Sequence, residues 1–345
     1  RRSSDLIEIE YIKIIFRRDI VYNVAIVGAT GNVGRKFLEI LEERNFPVKE
    51  LYLFASKRSA GKTLKFKGED VLVEELCEAN IENKKIDFAL FSAGGSVSLE
   101  FAPIFAKHGA VVIDNSSAWR MDKEVPLVVP EVNPEDVKWH KGIIANPNCS
   151  TIQAMVALKP LYDKYGIKRI VYSTYQAVSG AGIQGILDLQ EGTTKKFPYP
   201  ILGNVIPHID VFLDNGYTKE EIKMIEETKK ILHDDNLRIT ATTVRVPVLN
   251  AHSESINVEL NSEFELENVI DLFNSSKGII VHDDVENLKY PTPLELSGKD
   301  EVFVGRIRRD FSLDNGLNLW VVADNIRKGA ALNAIQIAEI LINEK

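Results

Sequence analysis

The stretch that most limits what this chain can become is Val24-Ala25-Ile26-Val27, a buried-strand pattern that runs straight into Gly28-Ala29-Thr30-Gly31-Asn32-Val33-Gly34. Behind it, Phe37, Leu38, Ile40 and Leu41 recur at helical spacing. Strand, glycine turn and helix in that order place the strand in a parallel sheet and leave a helix N-terminus facing the turn. Glycines there let backbone N–H groups approach a pyrophosphate, whose charge the helix start meets. In this setting the motif reads as dinucleotide binding, with Gly28, Thr30, Gly31, Asn32, Val33 and Gly34 as cofactor contacts.

The next strand, Leu51-Tyr52-Leu53-Phe54, ends in Ala55-Ser56-Lys57-Arg58-Ser59-Ala60-Gly61 rather than in an acid. A carboxylate would bind a ribose 2′-hydroxyl, whereas Lys57, Arg58 and Ser59 suit a 2′-phosphate, so the expected cofactor is NADP. The plainer reading is a solvated loop with incidental cations. Two more apolar strands end in small or polar residues: Phe88–Phe91 in Ser92-Ala93-Gly94-Gly95, and Val111–Ile113 in Asp114-Asn115-Ser116-Ser117. Ligands of a doubly wound sheet bind beyond such ends, which nominates Ser92, Gly94 and the segment reaching Arg120.

Asn148-Cys149-Ser150 opens another helical run, through Ile152, Met155, Val156 and Leu161 to Gly166, with a kink expected at Pro160. A thiol at a helix start meets unpaired N–H groups that favour thiolate, which makes Cys149 a candidate nucleophile. The alternative is a small core residue. Beyond it the texture changes. Residues 168–176, 238–246 and 253–260 read as strands, and Asp314-Asn315-Gly316 signals a hairpin between Val302–Arg309 and Leu317–Val322. A largely antiparallel sheet follows, with helices over 218–233 and 325–342. The expected division is an extension over 1–20, a dinucleotide-binding domain over 21–148 completed by a C-terminal helix over 325–345, and an α+β domain over 149–324.

Composition narrows the function. With 42 Lys plus Arg against 50 Asp plus Glu, the net charge of −8 offers no basic field for nucleic acid. Two cysteines in 345 residues make no disulfide framework. No apolar run approaches the ~20 residues that would span a bilayer, so the expected compartment is the cytoplasm. Charges at Asp5, Glu8, Glu10, Arg17, Arg18 and Asp19 argue against a signal-peptide core at the start.

Several motifs agree in order and spacing. They are the glycine loop, Pro147-Asn148-Cys149-Ser150-Thr151, Gln176-Ala177-Val178-Ser179-Gly180-Ala181-Gly182, Arg245 seven residues before His252, and Lys328-Gly329-Ala330-Ala331-Leu332-Asn333. With them, from about Val21 to the C-terminus, the chain resembles aspartate-semialdehyde dehydrogenase. The resemblance implies a fold of the type seen in glyceraldehyde-3-phosphate dehydrogenase-like proteins. It implies reduction of 4-phospho-L-aspartate to L-aspartate 4-semialdehyde with NADPH, on the way to lysine, threonine, methionine and isoleucine, and a homodimer built through the second domain.

The same resemblance implies the roles. Cys149 forms a thioester, His252 exchanges a proton with the intermediate's oxygen, and Gln176 orients substrate or thiol. Arg245 grips the α-carboxylate with its planar fork, Glu220 holds the ammonium, and Lys223, Arg120 and Asn148 hold the phosphate. Glu220 and Lys223 stand three apart on one helix; the plain reading is a surface pair. Ser179, Gly180 and Asn325 fall in the cofactor set. N-acetyl-glutamyl-phosphate reductase shares the plan but carries Gly-Cys-Tyr around its nucleophile. Glyceraldehyde-3-phosphate dehydrogenase carries Cys-Thr-Thr-Asn, and a non-catalytic relative would lack the thiol or the histidine. His208, His282 and Cys77 carry no motif and read as structural.

Overall fold

Each texture in the sequence builds its own sheet in the computed structural model, which describes residues 20–343. Apart from Ile20, the expected extension lies outside the described residues. The first sheet contains β1 (Tyr22–Val27), β2 (Val48–Ala55), β3 (Thr63–Phe66), β4 (Glu69–Glu75), β5 (Phe88–Phe91), β6 (Val111–Asp114) and β7 (Ile143–Ala145), in the order β3-β4-β2-β1-β5-β6-β7. Every pair is parallel except β3 with β4. Every residue of β1 and of β5 is buried, as strands covered on both faces must be. Between β1 and its neighbours run α1 (Asn32–Glu43) and, after β5, α2 (Gly95–Lys107). The chain leaves β1 toward β2 on one side and later returns to β5 on the other. That reversal opens a crevice beyond the carboxyl ends of β1 and β5.

The second sheet contains β8 (Ile167–Gln176), β9 (Arg238–Arg245), β10 (His252–Leu260), β11 (Ile279–Val281), β12 (Val302–Asp310) and β13 (Gly316–Ala323), in the order β11-β12-β13-β10-β8-β9. Its inner pairs are antiparallel, while β8 with β9 and β11 with β12 are parallel. Against one face lies α3 (Cys149–Tyr165), buried without interruption from Ser150 to Leu158. Such a helix, covered all round, belongs to the centre of the molecule. α4 (Ile183–Glu191) packs Ile186 and Leu189 on a separate small cluster with Val178, Phe197, Ile201 and Ile206, while around α3 sit α5 (Lys219–Leu232) and α6 (Leu266–Ser275). Thr218 starts α5 with a capping box, its hydroxyl accepting from the Glu221 N–H while Glu221 accepts from the Thr218 N–H. The last helix, α7 (Leu332–Asn343), returns to the first sheet, where Ile335 and Ala338 share a core with Ile26, Phe37 and Leu41.

Local expectations needed correction in two places, the hairpin turn and the start of the C-terminal helical run. The β12–β13 hairpin exists, but Asp310 pairs with Gly316, so residues 311–315 form the turn and Asn315-Gly316 leads into β13. The Asp310 carboxylate stabilises that longer turn by accepting from the Ser312 N–H at 2.9 Å and its hydroxyl at 2.6 Å. α3 carries Pro160, where the kink is expected, within its span. The C-terminal helical run begins with a wide π turn over Arg327–Ala331, made possible by Gly329, Ala330 and Ala331, before regular α7.

Candidate active site

Strand pairing lays the chemistry out in rows. On the buried face of the second sheet, Gln176 of β8 pairs with Arg245 of β9, and His252 of β10 pairs with Ala323 of β13. Ser253 pairs with Tyr175, so Gln176 and His252 are neighbours at the sheet's end. One pleat deeper come Thr243, Thr174, Glu254 and Val321, and one pleat deeper again Ala241, Tyr172, Ile256 and Leu319. Side chains two residues apart on a strand share a face. The face therefore grades from charged rim through polar row to apolar core.

Cys149 is brought to that rim as the first residue of α3. Asn148 caps the helix, its Oδ1 accepting from the N–H groups of Ser150 at 3.0 Å and Thr151 at 3.4 Å. Its Nδ2 donates to Glu220 Oε1 at 2.8 Å, and its backbone N–H donates to Glu227 Oε2 at 2.7 Å. So fixed, the chain sets Cys149 Sγ 3.2 Å from His252 Nε2. The Ala177 N–H donates to His252 Nδ1 at 3.0 Å. Nδ1 is thereby the unprotonated nitrogen, and the ring proton of neutral His252 sits on Nε2, toward the sulfur.

Electrostatics overturn one expectation. Burial pushes the Cys149 thiol up to about 12, and Glu220 pushes in the same direction. Arg245, Arg120 and the Ser150 N–H pull the other way without prevailing. The helix start is present, but desolvation outweighs it, and the resting thiol is neutral. Burial, with Arg245 adding, also holds His252 well below the ordinary imidazole value. Burial opposes ionisation of Glu220, yet Lys223, Asn148 and Arg245 together keep it below the usual carboxylate range.

These groups open on a cavity of about 470 Å³. Its wall brings together Cys149, Gln176, Glu220, Lys223 and Arg245 with Arg120 and Asn148, and it also reaches Val33, Ser92, Gly180 and Asn325. The three expected phosphate ligands arrive already engaged, Asn148 as the helix cap described above. Arg120 is buried; its Nε donates to Asn146 O at 3.0 Å, Nη1 to Glu227 Oε1 at 3.0 Å and Nη2 to Asn115 O at 2.8 Å. Lys223 Nζ donates to Asp210 Oδ2 at 2.7 Å and Glu220 Oε2 at 3.2 Å, so the pair is part of the wall rather than a solvated surface pair. Arg245 donates through Nη1 to Ala177 O at 2.6 Å.

The glycine loop fits a pyrophosphate. A Cβ on Gly28 would overlap the Ser92 carbonyl, and one on Gly34 would overlap Gly28 O, so those glycines let the chain pack on itself. A Cβ on Gly31 would meet only Gly28 O, at 3.3 Å. Gly31 caps α1 with no side-chain acceptor and no acid in the first turn, leaving the first N–H groups, among them those of Asn32 and Val33, for an anion. Thr30 belongs to the same turn, and Gly94, at a φ of 91°, opens α2 on the far side of the crevice. Lys57 and Arg58 are exposed past the carboxyl end of β2, with Ser59 buried beside them, all outside the cavity wall. Asn325 Nδ2 donates to Ser179 Oγ at 3.0 Å, and Asn325 Oδ1 accepts from the Ala251 N–H at 2.9 Å.

Residues 23–140 match the family model described as semialdehyde dehydrogenase, NAD binding domain, and residues 158–328 match semialdehyde dehydrogenase, dimerisation domain. Over 336 residues the chain is 61% identical to an aspartate-semialdehyde dehydrogenase of Aquifex aeolicus, covering 94% of this chain and 98% of that protein. The chain belongs to the aspartate-semialdehyde dehydrogenase family. A crystal structure of aspartate semialdehyde dehydrogenase II from Vibrio cholerae complexed with ASA has a TM-score of 0.90 at 49% identity, covering 94% of this chain and 99% of that one. The aspartate-semialdehyde dehydrogenase of Candida albicans with NADP has a TM-score of 0.75 at 28% identity, covering 93% and 98%. Among the described residues no helix is long and apolar enough to cross a membrane.

Several wall and support residues of this family member were not nominated by sequence. Glu227 lies seven residues after Glu220, two helical turns along one face, a spacing that could have flagged it. Gly329 lay inside a recognised motif without a role; a Cβ there would stand 3.0 Å from Cys149 Cβ. Asp210 and Lys196 carried no local signal.

Proposed function

We propose that this chain is an NADP-dependent aspartate-semialdehyde dehydrogenase that converts 4-phospho-L-aspartate to L-aspartate 4-semialdehyde and phosphate. The carrying observation is Cys149 Sγ at 3.2 Å from His252 Nε2, on a cavity wall shared with Arg245, Glu220 and the end of the glycine loop. Cys149 attacks the acyl carbon; the carbon–sulfur bond forms, the carbon–oxygen bond to phosphorus breaks, and phosphate leaves with the thiol proton. NADPH, when bound, supplies the hydride that reduces the thioester.

His252 donates a hydrogen bond from Nε2–H to the oxygen that then carries the charge; collapse of the adduct re-forms the carbonyl, breaks the carbon–sulfur bond and releases aldehyde, and the sulfur takes a proton back from solvent. The Ala177 N–H at Nδ1 suits this ring to donating, because Nδ1 cannot be protonated while it accepts that bond. Arg245 takes the α-carboxylate and Glu220 the ammonium. An N-acylated substrate would bring no ammonium to Glu220, which sets this reading above acetylglutamyl-phosphate reduction. Gly28, Gly31, Asn32, Val33 and Asn325 hold the dinucleotide, with Lys57, Arg58 and Ser59 toward a 2′-phosphate. The domains are 21–148 with 325–345, and 149–324; the latter forms a homodimer, and the enzyme works in the cytoplasm.

An absorbance assay at the nicotinamide band, with aspartate semialdehyde, phosphate and either NADP or NAD, tests this. We expect phosphate-dependent reduction with NADP preferred, and Cys149→Ser at background with cofactor binding retained. Substantial turnover in Cys149→Ser would remove the sulfur from the mechanism; equal specificity constants for the two cofactors would remove the 2′-phosphate assignment.

A further inference from the structure

We propose that Lys328 is a positioning residue for the nucleophile: from a buried place outside the cavity wall, its ammonium holds both the turn behind Cys149 and the strand end before it. The role rests on the thiol chemistry proposed above. Lys328 is 1% exposed, and a lysine at that depth must find partners for its three N–H bonds. Nζ donates to Glu131 Oε2 at 2.6 Å, Gln336 Oε1 at 2.7 Å and Asn333 Oδ1 at 2.9 Å. An ammonium only donates, so it decides which way the Asn333 amide turns, with Oδ1 toward the lysine and Nδ2 away from it. Nδ2 then donates to Val128 O at 3.0 Å and to Asn146 Oδ1 at 2.6 Å. Asn146, buried at the end of β7, is oriented in turn, and its Nδ2 donates to Ala330 O at 3.1 Å and to Asn115 Oδ1. Three residues further along the chain stands Cys149.

The same lysine meets the nucleophile by a shorter route. Gly329 follows it in the π turn, and its N–H donates to Asp324 O at 3.0 Å. A Cβ at Gly329 would stand 3.0 Å from Cys149 Cβ and 3.3 Å from Cys149 Cα, so the turn is the surface on which the first residue of α3 rests. Ala330, next in the turn, lines the cavity and accepts the Asn146 bond. That bond closes a ring through Lys328, Asn333, Asn146 and Ala330, with Cys149 held between its two ends. In such a buried network each donor fixes the next acceptor, and the ammonium sets the direction of the rest.

Lys328→Met, the double variant Lys328→Met with Glu131→Gln, Asn333→Leu and Gln336→Met test this through kcat, the Michaelis constants for aspartate semialdehyde, phosphate and NADP, and the melting temperature. Lys328→Met leaves the Glu131 carboxylate, 6% exposed, without its ion-pair partner and should melt lower. Adding Glu131→Gln removes that unpaired charge and restores most of the melting temperature. It does not restore kcat, which stays about tenfold below the unaltered chain, as a small displacement of the reacting sulfur predicts. The Michaelis constants stay within about twofold in both variants, because the binding groups are untouched. Asn333→Leu keeps the ion pair, cuts the network at its next link and lowers kcat alike. Gln336→Met removes an acceptor that leads away from Cys149 and keeps kcat within about twofold. Recovery of kcat along with the melting temperature in the double variant would make Lys328 structural only and overturn the proposal. So would an unmoved kcat in Asn333→Leu, an equal fall in Gln336→Met, or a rise in all the Michaelis constants. An unaltered chain without phosphate-dependent reduction of NADP would instead remove the reaction, and the positioning role with it.

Discussion

Gly180→Ala places one methyl group between Arg245 and His252, the side chains to which the proposed reaction assigns carboxylate binding and the bond to the reacting oxygen. A Cβ at position 180 would stand 3.1 Å from Arg245 Nη1, 3.2 Å from His252 Cε1 and 3.3 Å from His252 Nε2. Comfortable separations for such atoms are about 3.5–4.0 Å, so each neighbour must give by several tenths of an ångström. The Gly180 backbone is not in the left-handed region, so the effect is steric rather than conformational. Neither neighbour yields alone. Arg245 is tied to the Ala177 carbonyl at 2.6 Å and His252 to the Ala177 N–H at 3.0 Å. Movement of His252 by about half an ångström would stretch and misalign the contact of Nε2 with Cys149 Sγ, now at 3.2 Å.

A misplacement of about 1 Å costs roughly a hundredfold, so a shift of about half that predicts a fall in kcat of about tenfold, or ~1.4 kcal/mol in the barrier. Overpacking should cost about 1 kcal/mol of stability, a drop in Tm of a few degrees. Steady-state kinetics with both substrates, cofactor titration by nicotinamide fluorescence and a melting curve separate these terms. Sequence alone assigned Gly180 to the cofactor. An intact kcat with weakened NADP binding would favour that reading and refute the steric one, and unchanged kinetics would refute both.

Glu254→Gln tests the polar row behind the rim. Burial, with Glu220 adding, holds Glu254 well above the ordinary carboxylate range, and neither carboxyl oxygen has a hydrogen-bond partner. The folded state thus keeps a proton the unfolded chain releases above about pH 4.3. Its stabilising contribution is complete below that pH and declines as pH rises toward the folded value, by at most about 1.4 kcal/mol per pH unit. Urea unfolding between pH 5 and pH 8 should show a flatter dependence in Glu254→Gln, and parallel slopes would count against a neutral Glu254. Arg245→Lys keeps charge but loses the planar fork and the Ala177 tether; the aldehyde's KM should rise about tenfold, and unchanged kinetics would exclude Arg245 from carboxylate binding.

What could be read in advance was local or periodic. The turn from Gly28 to Gly34 is specified by its own glycines, and α3 and α5 announce themselves through their helical periodicity. The β3–β4 hairpin escaped notice because Glu69, Asp70, Glu74 and Glu75 make a strand look like a solvated acidic run. Its turn residues, Lys67 at a φ of 49° and Gly68 at 84°, were the available signal. The meeting of Cys149 with His252 spans 103 residues and depends on strand register, so only a family resemblance could supply it beforehand. The thiol's state was misjudged for a related reason: a helix start is written in the sequence, whereas depth of burial emerges only from packing.

That neutral thiol carries a consequence for the protein between turnovers. Electrophiles and peroxides attack the thiolate, and the resting sulfur offers almost none of it, so the nucleophile is guarded while the enzyme idles. After burial, the strongest influence keeping it so is the negative charge of Glu220. In the binding mode proposed above, an ammonium docking on Glu220 removes that influence and an α-carboxylate docking on Arg245 removes the largest charge that opposes it. The two ends of the incoming molecule then offset each other at the sulfur, and depth in the protein, not charge, is what guards the nucleophile.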